Sequence, residues 1–229
     1  MIFLKWARKV LKWAILFFFS STILAVVAFR FLPVPFTPLM GIRMMEKNES
    51  GKQFDLQHQW VPLKKMSPYM PLAVIAKEDQ NFLEHHGFDV EAIQSAYEDN
   101  KKKKTLRGGS TITQQTAKNI FLWPSRTYLR KGLEAYFTVL IELFWSKQRI
   151  MEVYLNSIEM GDGIFGVEAA AQYAFGKNAS ELTKSQCALI ASTLSNPLVK
   201  NVKNPSRSVI RKQRWVERQM SYLPEFPME

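Results

Sequence analysis

A chain of 229 residues has room for one membrane anchor and one compact domain, and it excludes two large domains. The hydrophobic fraction of 47% is ordinary for a globular protein but concentrates near the N-terminus, while the net charge of +11 points to an anionic partner. The single cysteine, Cys187, excludes an intrachain disulfide and any Cys-rich zinc site, and its apolar surroundings, CALIASTL, mark it as a core residue.

Trp13 to Phe29 is a run of 17 residues without a charge, within the range of about 17–25 expected of a spanning helix. Extended to Leu32 it takes in Arg30, whose guanidinium can snorkel to the headgroups. Lys5, Arg8, Lys9 and Lys12 precede the run and should stay cytoplasmic, which puts the rest of the chain outside and argues against nucleic acid as the anionic partner. A cleaved signal peptide shares the basic start, but the run exceeds an h-region of about 7–15 residues and no A-x-A site follows. The expected division is therefore 1–12 cytoplasmic, 13–32 anchor, 33–60 juxtamembrane and 61–229 outer domain.

Pro33, Pro35 and Pro38 predict a stiff exit from the bilayer, and residues 41–63, with a Glu49-Ser50-Gly51 turn signal, an irregular ribbon. Ser67-Pro68 opens a helix running towards Glu78. Asp89 caps a second to about Asp99, and Lys101 to Lys104 reads as a solvated loop. Ser110 or Thr111 opens a third helix after Gly108-Gly109, and Ser125 caps a long fourth that is densely apolar from Leu133 to Trp145. Ser146 caps the next, Gly161, Gly163 and Gly166 form a loop before a helix at Ala169 to Ala171, and Ser180 and Pro205 start two more. With no alternating strand of useful length and no repeat, the fold class is mainly α.

Three constellations carry chemistry. Glu78-Asp79, followed by His85, Gly87 and Asp89, places two carboxylates at a helix end, where one suits a general base at the lip of a cleft. Solvated surface charge is the commoner meaning of such a pair. Gly109-Ser110-Thr111-Ile112-Thr113-Gln114-Gln115, continuing to Lys118 and Asn119, offers hydroxyls and amides suited to a polyol, and a helix N-terminus with free N–H groups. Its lysine is misplaced for a P-loop. Arg126, Arg130 and Glu134 recur at i, i+4, i+8 beside Lys131, which reads either as a helix-surface ion pair or as the cations a diphosphate leaving group requires.

EDQNFLEHHGFD, GGSTITQQTAKN, RKGLE and KQRIMEVYLNSIEMGDGIFGVEAAAQ, in this order, resemble the signature blocks of the peptidoglycan glycosyltransferase family, in its monofunctional biosynthetic transglycosylase branch. The similarity spans roughly residues 60–215. It implies a lysozyme-like, two-lobed glycosyltransferase domain over 61–229, behind the single transmembrane helix, at the outer face of the cytoplasmic membrane. The implied substrate is lipid II, an undecaprenyl-pyrophosphate-linked disaccharide pentapeptide, polymerised to β-1,4 glycan. Carried over residue by residue, Glu78 is the base, Glu134 a second carboxylate, and Lys118 and Arg126 the cations facing the pyrophosphate. Ser110, Gln114 and Gln115 orient the donor, and Arg130 and Lys131 add charge. The resemblance implies no obligatory cofactor and allows a divalent cation such as Mg²⁺ or Mn²⁺ as an assistant. His86 and Tyr173-Ala174-Phe175 depart from the family's usual aromatics, at positions that touch packing or substrate fit.

Two other functions fit parts of the sequence. A glycan-cleaving muramidase shares the lone catalytic glutamate but has no use for the cations, since no pyrophosphate leaves. A non-catalytic cell-wall scaffold leaves the position of Glu78 unexplained. No serine has a lysine three residues later and K-T-G is absent, so crosslinking falls to transpeptidases or other elongation and division partners.

Overall fold

In this computed structural model, which describes residues 2–49, 55–101 and 109–229, the apolar N-terminal run folds as α1 (Ile2–Phe29). Its Lys5–Phe29 portion, 25 residues, is long and apolar enough to cross a membrane. The basic leader is continuous with the apolar run, with no break in the helix at residue 12.

The C-terminal part of α1 docks on the folded domain. Val26 is fully buried, its carbonyl accepts from Trp145 Nε1 at 2.8 Å, and Thr22 Oγ1 lies 2.8 Å from Tyr136 OH. Phe18 and Phe19 pack on the Tyr136 ring. The last carbonyls of a helix lack intrahelical donors. Here Arg149 supplies them, donating from Nε and Nη2 to Phe29 O at 3.0 and 2.8 Å and from Nη2 to Leu32 O.

After an extended passage through the prolines, the chain forms α2 (Pro38–Glu49) where a ribbon was expected. Thr37 Oγ1 accepts from Met40 N and Pro38 stands first in the helix, a pairing of cap and proline that favours helix initiation. Of the turn signal, Ser50 and Gly51 lie outside the described residues.

The remaining elements are β1 (Gln57–His58), α3 (Tyr69–Glu78), α4 (Val90–Lys101), α5 (Ile112–Phe121), α6 (Tyr128–Phe144) and α7 (Lys147–Ser157). There follow β2 (Glu159–Gly161), β3 (Ile164–Phe165), α8 (Val167–Phe175), α9 (Lys184–Thr193) and α10 (Arg207–Met220). The mainly α class holds, with one addition. The segment expected as a glycine loop forms a small sheet in the order β1-β3-β2, β1 parallel and β2 antiparallel to β3.

Helix starts follow their caps. Asp89 accepts from Ala92 N, Thr111 and Gln114 form a reciprocal capping box, and Ser146 accepts from Arg149 N. Three starts move from expectation. Thr127 rather than Ser125 caps α6, Thr183 caps α9, and Ser206 caps α10. Ser67 does not cap α3, because its hydroxyl donates to Leu182 O. Lys102 to Lys104 and Gly108 lie outside the described residues.

The core runs between α3, α5, α7, α8 and α9, around the fully buried Tyr154, Phe82, Ile112 and Ile190. Cys187 belongs to it, and burial pushes its thiol up to about 12. Two glycines are structurally required. Gly166, at φ +81°, would bring a Cβ within 2.7 Å of Asn156 O, and Gly87, at φ +89°, within 2.7 Å of Thr138 Cγ2.

Candidate active site

Glu78 ends α3, half-buried, and both of its carboxylate oxygens are held. Oε1 accepts from Lys77 Nζ at 2.9 Å and Oε2 from Gln115 Nε2 at 3.1 Å. Gln115 Oε1 in turn accepts from Tyr154 OH at 3.2 Å, so a core phenol fixes the amide that fixes the glutamate. Burial raises the Tyr154 pKa well above its ordinary value, with Glu78 and Asp79 adding to the rise, and the phenol stays a donor.

Asp79 serves a different purpose from its neighbour. It is buried, its Oδ1 faces His85 Nε2 at 2.8 Å, and its Oδ2 accepts from Ile112 N at 2.9 Å. Gly87 N donates to His85 Nδ1 at 3.2 Å, which leaves Nε2 as the protonated nitrogen. The loop after Glu78 is thereby stitched to the first turn of α5. Lys147 adds a second stitch, donating to His85 O at 2.6 Å and Glu142 Oε1 at 2.8 Å.

Asp79, His85 and Asp89 approach one another as three metal ligands would. Their oxygens are already committed, Asp89 to Asn81 Nδ2 and Ala92 N, and Asp79 as described. The donor set fits an internal hydrogen-bond network better than a resident divalent ion.

Across from Glu78, α5 presents Lys118. It is half-buried and, among the described residues, makes no hydrogen bond or ion pair. Burial lowers its pKa, the Glu134 carboxylate works against that, Arg130 and Lys131 lower it further, and Glu78 pulls it back slightly. Lys118 lines a cavity of about 490 Å³ together with Arg126, Arg130 and Arg43, whose apolar side includes Leu39 and Trp123.

The i, i+4, i+8 recurrence of Arg126, Arg130 and Glu134 does not run along one helix. Arg126 precedes α6 and is exposed, because the helix begins only at Tyr128. Arg130 still joins it in the cavity, since its Nε donates to Ser125 O at 2.6 Å and draws in the lead to the helix. Glu134 is buried and both oxygens accept charge, one from Arg130 and one from Lys131. It acts as the counter-ion that fixes Arg130 and shares the field around Lys118.

Gln115, expected to orient the donor, donates to Glu78, and Gln114, expected to do the same, is buried with its Oε1 spent on Thr111 N at 3.0 Å. Ser110 stands exposed just before the cap. Four participants were missed from sequence: Lys77, Tyr154, Arg43 and Glu159. Arg43 comes from α2 and grips Glu159 through Nε and Nη2 at 2.8 and 3.0 Å, closing one side of the cavity. The signal for Arg43 was the Thr37-Pro38 helix start that would have placed it one turn in.

A model of the Transglycosylase family matches residues 46–221. The chain is 53% identical over 223 residues to a biosynthetic peptidoglycan transglycosylase of Bacteroides thetaiotaomicron, covering 96% of this chain and 90% of that one. It is 51% identical over 212 residues to a protein of the same name from Caulobacter vibrioides, covering 91% and 90%. A third, from Pseudomonas syringae pv. syringae, is 49% identical over 216 residues, covering 94% and 91%. The order of the motifs and these relatives agree, and the chain belongs to the Transglycosylase family.

Proposed function

We propose that the protein polymerises lipid II into β-1,4 glycan at the outer face of the cytoplasmic membrane, without transpeptidase activity. The observation that carries this is Lys118, a half-buried ammonium that makes no hydrogen bond or ion pair among the described residues and lines a cavity with Arg126 and Arg130. Three cations gathered around one cavity favour an anion there. A diphosphate would supply the charge, and Leu39 and Trp123 would take the first isoprenyl carbons. A muramidase releases no such group and would gain nothing from this cavity.

The chemistry then follows. Glu78, held by Lys77, takes the proton of the acceptor N-acetylglucosamine 4-hydroxyl. That oxygen bonds to C1 of the donor muramoyl sugar while the bond from C1 to the diphosphate oxygen breaks, and the electron pair leaves with the diphosphate. One displacement converts the α-linked donor to a β-linked product. Lys118, Arg126 and Arg130 stabilise the departing charge. Gln115 holds the base in place, and Glu134 keeps Arg130 extended. No step is assigned to a divalent cation, because Glu134 is already closed by two basic side chains.

The orientation rests on Lys5, Arg8, Lys9 and Lys12 before the apolar helix. Separate incubation with lipid II and with polymeric peptidoglycan tests the reading. Polymer formed from lipid II, with the polymeric substrate left intact, is the expected result, and cleavage of the polymer alone would replace it with the muramidase.

A further inference from the structure

Much of the chain's positive charge lies away from the diphosphate cavity. Residues 184–221 hold eight basic residues and one acidic residue, Glu217, out of a net charge of +11 for the whole chain. Five of the eight are on α10, and the four arginines among them, Arg207, Arg211, Arg214 and Arg218, are all exposed. Spacings of four, three and four residues keep them on one side of the helix. The opposite side is occupied by the buried Val209, Val216 and Met220, which seat α10 on α9 and α3. The result is a line of guanidinium groups about 16 Å long at 1.5 Å per residue.

This line is not an ordinary solvated helix face. Among the described residues none of the four arginines has a carboxylate partner. Like charges at i, i+4 destabilise a helix, and the line contains two such pairs, Arg207 with Arg211 and Arg214 with Arg218. All four are arginine rather than lysine, the side chain whose planar fork suits carboxylates. The helix that carries the line also packs on α3, which ends in Glu78.

We infer that the Arg207, Arg211, Arg214 and Arg218 line binds the carboxylates of the peptide stems on the growing glycan strand. This rests on the polymerase reading, which provides a product carrying an anionic peptide at each muramoyl unit beside Glu78. A strand leaving the cleft lays successive carboxylates along α10. Arginine holds them without contacting the reacting atoms, and the strand remains bound between additions. An anionic bilayer is a poorer occupant, because the membrane helix α1 packs on α6, whereas α10 packs on α9 and α3.

The test uses the full chain in neutral detergent micelles. Binding is measured to uncrosslinked glycan strands with intact stems, to the same strands after amidase removal of the stems, and to phosphatidylglycerol vesicles. Intact strands should bind about tenfold more tightly than stripped ones, a modest factor because exposed ion pairs are individually weak. The preference should fade at high salt. Replacing all four arginines with Gln should abolish it, while replacement with Lys should keep part of it. In lipid II polymerisation the Gln variant should make shorter strands at an undiminished rate of single additions. Equal binding of intact and stripped strands, a Gln variant that retains the preference, or arginine-dependent binding confined to the vesicles would each overturn the inference. Stem-dependent binding by a wild-type chain that fails to polymerise lipid II would instead sink the polymerase reading and leave the surface standing.

Discussion

Burial and catalysis pull on Lys118 in opposite directions. Its ammonium is held below the ordinary lysine range by burial, with Glu134 opposing and Arg130 reinforcing the shift. The charged form, which the proposed role toward a leaving diphosphate requires, is therefore lost at lower pH than for an exposed lysine. The alkaline limb of kcat/KM should fall below the usual lysine value of about 10.4. Lys118→Arg should move that limb upward, and a limb that stays in place would assign it to another group. The same depressed pKa disfavours protonation in the fold, so this residue's cost to stability is present at neutral pH and disappears as pH rises through the window between its folded and unfolded values. Replacing Lys118 or Arg126 with Ala should lower kcat by about 10²–10³-fold, as for other preorganised charge stabilisers. A change confined to KM would mean uniform binding instead.

At the scale of elements, what was legible had local causes. Asp89, Thr111 and Ser146 cap their helices as their sequence positions suggested, because an N-cap is a contact between residues three apart. Where two hydroxyl residues competed, as Ser125 and Thr127 did before α6, the sequence could not rank them, and Arg126 moved from the helix to its approach. Strands of two or three residues are too short to show an alternating pattern, and β1 meets β3 from more than a hundred positions away, so the sheet had no local signature. Among candidate site residues, Glu78, Lys118 and Gln115 stood in recognisable blocks. Gln114 occupied the same block yet was drawn into the cap, since its position three residues after Thr111 is the one a capping box uses. Arg43 and Tyr154 act through contacts with distant segments, which no spacing discloses.

For the whole molecule, α1 is both a membrane anchor by composition and a docked element of the domain. Removing it deprives Trp145, Tyr136 and Arg149 of their partners. Deleting residues 1–38 should lower Tm even in detergent. Loss of a few buried apolar side chains amounts to about 2–4 kcal/mol, or roughly 5–15 °C for a domain of this size. Deleting residues 1–12 should leave Tm unchanged in detergent, since the docking contacts begin at Phe18. Equal Tm for the two deletions would mean that the docking contributes nothing to stability.

In the proposed polymerase Glu78 is the base, and Lys77 and Gln115 hold it in place without taking part in proton transfer. The most direct measurement is gel-resolved polymerisation of lipid II by the Glu78→Gln variant, with Tm recorded to show that it is folded. The amide keeps the size and the contact with Gln115 but cannot accept the hydroxyl proton, so polymerisation should fall by about 10²–10⁴-fold at an unchanged or slightly altered Tm. A folded variant that makes strands at the wild-type rate would contradict the account.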